Sequence, residues 1–162
     1  MIRRYEPRDA QQVTALVAEL QEYERALESD RVAGDTMAEC YVADLLRQCA
    51  EKQGALFVML GDDADARERE IAGFVCVWLE REPETYTSTL VQYAYVSDLV
   101  VREPHRGRGV GQCLLARAEA HAREVGARVL RVNVLAANGT ARQSYQRAGF
   151  REYELELLKA LE

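Results

Sequence analysis

The sequence predicts an α+β fold, one domain in which a mixed, mostly antiparallel sheet is flanked by helices. Three observations carry this expectation. Apolar spacing switches between the strand and helix periods in the order β-α-α-β-β-β-α-β-α-β. Most switches fall on a glycine, a proline or a helix-capping residue. The 162 residues contain no repeat, low-complexity tract or internal linker, so residues 1–162 read as one domain.

Residues 2–6 read as a short strand stopped by Pro7. From Asp9, the residues Val13, Leu16, Val17, Leu20, Tyr23 and Leu27 recur every three or four positions, which predicts an amphipathic helix. Thr36 and Glu39 have the spacing of a capping box, so a second helix is expected from Thr36 through Cys40, Leu45, Leu46 and Cys49, with Gly54 as its stop. Residues 55–60 and 71–79 are continuous apolar runs that read as strands. The polar segment 61–70 joins them as a solvated hairpin loop. Its aspartates Asp62, Asp63 and Asp65 lack the spacing of a calcium loop.

Residues 90–101 form a longer strand pattern that ends at the segment 102–111. A helix follows, with Val110, Cys113, Leu114, Ala118, His121 and Val125 on one face and Gly126 as its stop. Residues 128–135 are the next strand, and Asn138 caps a short helix that ends near Gly149. Last, Tyr153, Leu155 and Leu157 alternate with Glu152, Glu154 and Glu156, the pattern of a strand with one wet face.

Composition narrows the function. Hydrophobic residues make up 48% of the chain and charged ones 30%, the balance of a globular protein. A domain of this length buries roughly 70% of its unfolded surface and needs no covalent staples. No apolar run reaches membrane-spanning length, and the N-terminal residues lack a secretory apolar core, so a cytoplasmic protein is expected. Cys40, Cys49, Cys76 and Cys113 form no metal-ligand pattern and read as buried free thiols of a reducing compartment, with no metal bound. Residues 102–151 carry a local charge of +7, whereas the rest of the chain sums to −13. That asymmetry suggests one surface for an anion and another for a cation. Nucleic acid is not the expected partner, since the net charge is −6 and no basic-aromatic motif occurs.

The basic segment contains the chemistry. Arg106-Gly107-Arg108-Gly109-Val110-Gly111 lies between a strand and a helix. Glycines there let the backbone approach a ligand, and the opening helix turn offers free N–H groups to an anion. A phosphate or pyrophosphate is the chemistry it suits. The segment lacks the Lys-Ser/Thr ending of a Walker loop and the spacing of a dinucleotide fingerprint.

Arg106-x-x-Gly109-x-Gly111 resembles the acyl-CoA pyrophosphate loop of the GNAT superfamily of N-acetyltransferases. Asn138-x-x-Ala141-x-x-x-Tyr145-x-x-x-Gly149-Phe150 is similar to the second signature of that superfamily, and the order of elements resembles its fold over nearly the whole chain. Glu19-Leu20-Gln21-Glu22-Tyr23-Glu24 and Ser97-Asp98-Leu99-Val100-Val101 are similar, more loosely, to its diamine and polyamine branch.

The resemblance implies an enzyme that transfers the acetyl group of acetyl-CoA to a primary amine. Acetyl-CoA would lie between the strand ending at Val101 and the strand 128–135. Backbone groups of Leu99, Val100 and Val101 would hold its pantetheine arm, and Arg106, Gly107, Arg108, Gly109, Val110, Gly111 and Gln112 its pyrophosphate. Asn138 would contact it near the reacting end. Tyr145, two helical turns after Asn138, would return a proton to the leaving thiolate. Asp98 is the carboxylate of residues 90–101 and the candidate base, although Ser97 stands where the diamine branch has glutamate. Strict alternation puts Ser97 and Asp98 on opposite faces of the sheet. Glu22 and Glu24 read first as part of a solvated helix face, with binding of a cationic substrate as the alternative. His105 is expected to assist at the phosphate turn and His121 to sit at a helix interface.

A homodimer is implied by the same branch and by the pairing edge that the segment 151–158 would leave. The competing class is a catalytically silent acyl-CoA-binding or regulatory domain of the same fold. The retained Asn138 and Tyr145 weigh against it.

Overall fold

Neighbouring strands of the sheet are also neighbours in sequence, so the chain builds it as a meander interrupted by helices. The computed structural model describes residues 1–61, 70–83, 86–87 and 91–161. The elements are β1 (Ile2–Arg4), α1 (Ala10–Leu27), α2 (Gly34–Glu51), β2 (Ala55–Leu60), β3 (Ile71–Arg81), β4 (Gln92–Val101), α3 (Val110–Glu124), β5 (Leu130–Val132) and α4 (Gly139–Arg147). Single 3₁₀ turns occupy Pro7–Asp9 and Glu103–His105. The sheet order is β1-β2-β3-β4-β5, antiparallel except for the parallel pair β4 and β5. The expected α+β architecture is present. Most of the hairpin loop between β2 and β3, residues 62–69, and Leu90 lie outside the described residues.

β3 explains why its segment shows no alternation. Nine consecutive residues, Ile71 to Leu79, are buried because helices cover both faces of the sheet. Val75, Val77 and Leu79 pack with Leu114, Leu115 and Ala118 of α3. Phe74, Cys76 and Trp78 pack with Val13, Leu16 and Val17 of α1 and with Val42 and Leu45 of α2. Burying a side chain of this size contributes on the order of 2 kcal/mol, so the two layers together supply the main driving force for folding.

Three expectations are corrected. α2 begins at Gly34 with Ala33 as its cap, not at Thr36. The Thr36 hydroxyl donates to the Ala33 carbonyl at 2.7 Å, and a carboxylate from α1 takes the capping part, since Glu22 Oε1 accepts from the Gly34 N–H at 2.6 Å. A Cβ at Gly34 would lie 2.5 Å from the Ala18 carbonyl oxygen, so glycine is what lets α2 start this close to α1.

The second correction is the last strand. Residues 151–161 form no strand, and Leu155, Leu157, Leu158 and Leu161 are 77–88% exposed. The alternating pattern is there, but strand structure also needs ladder hydrogen bonds to a partner edge, and residues 151–161 pair with none of the described strands. The third concerns cysteine. Cys76 is buried and Cys49 half-buried, whereas Cys40 and Cys113 are exposed. Both lie on helices at positions facing away from the sheet, where an apolar neighbourhood in sequence does not mean burial.

Candidate active site

β4 changes character at one residue. Cys76 of β3 faces Asp98 while Val77 faces Val96, so Ser97 is the extra residue of a β-bulge. Before it, Ala94 and Val96 face α3. After it, Val100 faces α1 and α2. Pairing with β5 runs only through Val96 opposite Val132. Arg102 N–H donates to the Ala72 carbonyl on β3 at 2.9 Å, so alternation turns the backbone groups of Leu99 and Val101 away from β3. β4 therefore ends with one unpaired backbone edge.

The glycine turn follows that edge. Gly107 and Gly109 have φ of 73° and 81°, left-handed conformations that side chains disfavour, and a Cβ at either would meet nothing within 4 Å. Glycine is required there by conformation, not by lack of space. Gly109 caps α3, and the first bond of that helix runs from Cys113 N–H to the Gly109 carbonyl at 3.0 Å. The N–H groups of Val110, Gly111 and Gln112 are thus left for a ligand. Arg106 Nε donates to the Val101 carbonyl at 3.0 Å, and its guanidinium lies 5.9 Å from the Tyr23 ring centroid. That bond occupies one of the carbonyls on the open edge. Arg106 and Arg108 form ion pairs with no carboxylate among the described residues, so the turn presents uncompensated positive charge beside free donors. Donors and charge of this kind suit an anion.

Asp98 lies inside the α1–α2 layer and is 6% exposed. Tyr41 Oη donates to its carboxylate at 3.2 Å, and Ser97 Oγ donates at 2.6 Å. The bulge is what allows the second bond, so Ser97 and Asp98 do not point to opposite faces as alternation predicted. Burial pushes the Asp98 carboxyl up to about 6, and the Ser97 and Tyr41 hydrogen bonds hold it from going higher. A carboxylate titrating near neutrality can take a proton from an amine and release it again.

Tyr145 packs edge-on against Phe150 with ring centroids 5.6 Å apart. Its hydroxyl makes no hydrogen bond to a described residue. Burial, then the charge of Asp98, pushes the phenol up to about 12, so it is fully protonated at neutral pH. It is a weaker acid than a free phenol, and a thiolate would draw its proton less readily than an unshifted value suggests. The same charge effect couples Tyr145 electrically to Asp98 and Glu24.

The remaining residues divide cleanly. Asn138 caps α4, its Oδ1 accepting from Ala141 N–H at 3.0 Å and from Tyr23 Oη at 3.4 Å, which leaves its amide nitrogen unengaged among the described residues. Glu22 is consumed in capping α2, while Glu24 pairs with Arg31 at 3.2 Å and adds to the field at Asp98. His105 Nε2 sits 3.0 Å from the Glu70 carboxylate. His121 is buried against Phe57 with Nε2 at 3.0 Å from the Gln53 carbonyl, the expected helix interface.

Tyr41 and Tyr23 were not anticipated as site residues. Tyr41 had one legible sign, its fourfold spacing with Leu45 and Cys49, which puts a polar tip on a core-facing stripe. Among the described residues no three His, Cys, Asp or Glu gather as metal ligands, and no helix is long and apolar enough to cross a membrane.

The acetyltransferase (GNAT) family profile matches residues 14–150, and the chain belongs to that family. It is similar to an uncharacterized N-acetyltransferase, YycN, of Bacillus subtilis (strain 168), at 36% identity over 58% of this chain and 56% of that protein. It is also similar to the streptothricin acetyltransferase of Streptomyces lavendulae, at 35% identity over 56% of this chain and 47% of the other. The chain spans about half the length of these curated relatives. In fold it is similar to the BH1408 protein of Bacillus halodurans, with a TM-score of 0.81 at 22% identity over 99% of both chains. It is likewise similar to an aminoglycoside 6'-N-acetyltransferase of Acinetobacter haemolyticus, with a TM-score of 0.70 at 16% identity over 100% of this chain and 98% of that one.

Proposed function

We propose that residues 1–162 act as an N-acetyltransferase that moves the acetyl group of acetyl-CoA to a primary amine of a small cationic molecule. The observation that carries this reading is the unpaired end of β4 running directly into the glycine turn, with Arg106 bound to the Val101 carbonyl. An extended arm with a pyrophosphate at its far end matches that succession of donors and acceptors.

Acetyl-CoA supplies the activated acyl group as a thioester. The backbone groups of Leu99 and Val101 on the open strand edge hold its arm, whereas Val100, expected to share that role, turns its backbone towards β3 and its side chain into the α1–α2 layer. The N–H groups of Val110, Gly111 and Gln112, with Arg106, Gly107, Arg108 and Gly109, hold the pyrophosphate charge. The Asn138 amide nitrogen is available near the reacting end. Asp98 accepts the proton that the attacking amine loses, with its carboxylate oriented by Tyr41 and Ser97. Tyr145 donates its hydroxyl proton to the departing sulfur. The negative field of Asp98 and Glu24 favours a cationic acceptor, in keeping with the names of the streptothricin and aminoglycoside enzymes.

Four free cysteines, two of them exposed, fit a reducing cytoplasm. A homodimer is the assembly we expect, because four leucines of the tail after Phe150 are exposed in the single chain. Light scattering at micromolar concentration that returns the monomer mass would remove the dimer.

The deciding experiment measures acetyl-CoA turnover over a panel of polyamines, aminoglycosides, streptothricin-type antibiotics, amino acids and peptides, alongside calorimetric CoA binding. Turnover confined to small cationic amines is expected. Tight CoA binding with no turnover on any amine would favour a silent acyl-CoA-binding domain, and no CoA binding would end the reading altogether.

A further inference from the structure

The α1–α2 layer contains a pair of thiols that the acyl-transfer reading does not use. Cys49 ends the core-facing stripe of α2, and Cys76 is buried on β3 directly opposite Asp98. Their sulfur atoms are 3.4 Å apart although the residues are 27 positions apart in sequence. The backbones beside them are already in close contact. A Cβ at Gly54 would lie 2.8 Å from Cys49 Cα and 2.7 Å from Trp78 Cβ, and Gly54 N–H donates to the Cys49 carbonyl at 2.8 Å. A disulfide needs the sulfurs at about 2.0 Å. The two sulfurs thus start about 1.4 Å from bonding distance.

We infer that Cys49 and Cys76 form a redox-active dithiol, which peroxide closes to a disulfide tying α2 to β3. The reaction balances in two steps. The Cys49 thiolate attacks a peroxide oxygen, giving a sulfenic acid and hydroxide. The Cys76 sulfur then attacks the Cys49 sulfur, the S–O bond breaks, and the oxygen leaves as water. Two thiols are oxidised by two electrons and one hydrogen peroxide becomes two waters.

The order of the steps follows from the surroundings. Cys49 is half-buried and therefore reachable, whereas Cys76 is buried. The hydrogen bond with Cys76 draws the Cys49 thiol down, helped by Arg4, while that bond and burial push Cys76 up. The attacking thiolate is accordingly Cys49 and the resolving thiol Cys76. Tyr41, Leu45 and Cys49 share one helix face, so the tether fixes the helix that also holds Asp98.

The test uses the full chain carrying Cys40→Ser and Cys113→Ser, which removes the two exposed thiols and their intermolecular reactions. After hydrogen peroxide treatment, alkylation of the denatured protein should find both remaining thiols lost together. Mass spectrometry should show the loss of two hydrogens and a peptide joining Cys49 to Cys76, and dithiothreitol should restore both thiols. With Cys76→Ser added, Cys49 should accumulate as a sulfenic acid trapped by dimedone. The same joined peptide can be sought in the unmutated protein if a variant folds poorly. Two thiols that still alkylate fully, or a Cys49 that gains oxygen while Cys76 stays free, would overturn the dithiol.

Discussion

The two halves of β4 show how little sequence separates packing from chemistry. Residues Ala94 to Val96 are paired on both sides, with β3 and with β5, and the buried Ala94 and Val96 join the α3 layer. From Asp98 to Val101 the strand keeps β3 but loses β5, and its buried side chains join the other layer. One inserted residue, Ser97, makes the difference. Just upstream of it, from Ala94 to Val96, the strand has a neighbour on each edge. Downstream, an edge of free groups faces the anion-binding turn, and a carboxylate is left in a dry layer with two hydroxyls to hold it. The half that carries the candidate site is the half that the sheet does not complete.

If that division is right, damage downstream should fall on catalysis and damage upstream on stability. The largest effect is expected just beyond the strand, from Gly111→Asp. A Cβ there comes no closer than 3.5 Å to a neighbour, Val101 Cγ2, so the variant should fold. Its carboxylate would face the anion, and calorimetry should detect no CoA binding. Unchanged affinity in a folded variant would remove the pyrophosphate from the turn.

Next in size is Tyr145→Phe. The ring contact with Phe150 is kept and no hydrogen bond is lost, so stability should hold. Single-turnover acetyl transfer should slow by roughly 10²-fold, with little change in KM for acetyl-CoA. A full-speed single turnover would reduce Tyr145 to a packing residue.

Asp98 carries a pH signature. With the carboxyl at about 6 in the fold, kcat/KM should fall as pH drops through that value, because the base becomes protonated. Stability runs the other way. The folded value lies above the ordinary 3.8 of the unfolded chain, so the fold binds this proton more tightly. The resulting stabilisation is complete below about pH 4 and is lost as pH rises through about 6. Asp98→Asn should therefore abolish the acidic limb without lowering stability at neutral pH. Tyr41→Phe removes a hydrogen bond that favours the carboxylate, so the limb should move to higher pH, with a several-fold loss of rate at neutrality. Profiles that superimpose on the wild type would detach both residues from catalysis.

The smallest catalytic effect is expected upstream. Val96 is fully buried against α3, and Val96→Ala should cost about 1–3 kcal/mol in denaturant unfolding while kcat stays near wild type. A large loss of kcat at unchanged stability would erase the distinction between the two halves.

Much of this architecture was legible because it is local. Apolar spacing located the helices, and Asn138 was read as a helix cap from one side chain and the N–H three residues on. The glycine turn was equally plain, since left-handed conformations at Gly107 and Gly109 restrict residue choice at those positions alone. The start of α2 was misread because its capping group, Glu22, comes from another helix. The last strand was misread for a similar reason. Alternation in residues 152–157 describes a side-chain pattern, and a strand exists only where a neighbouring edge accepts its hydrogen bonds.

By itself the sequence determined the order of elements as far as α4, the sheet flanked by helices and the turn that gathers positive charge, because each depends on contacts within about one helical turn or along one strand. Only the tertiary structure decided the bulge at Ser97, the meeting of Tyr41 with Asp98 across 57 residues and the approach of Cys49 to Cys76. Those depend on how α2 docks against β3 and β4. Docking sums many weak contacts over two surfaces, and no single residue in either segment announces which polar groups it will bring together.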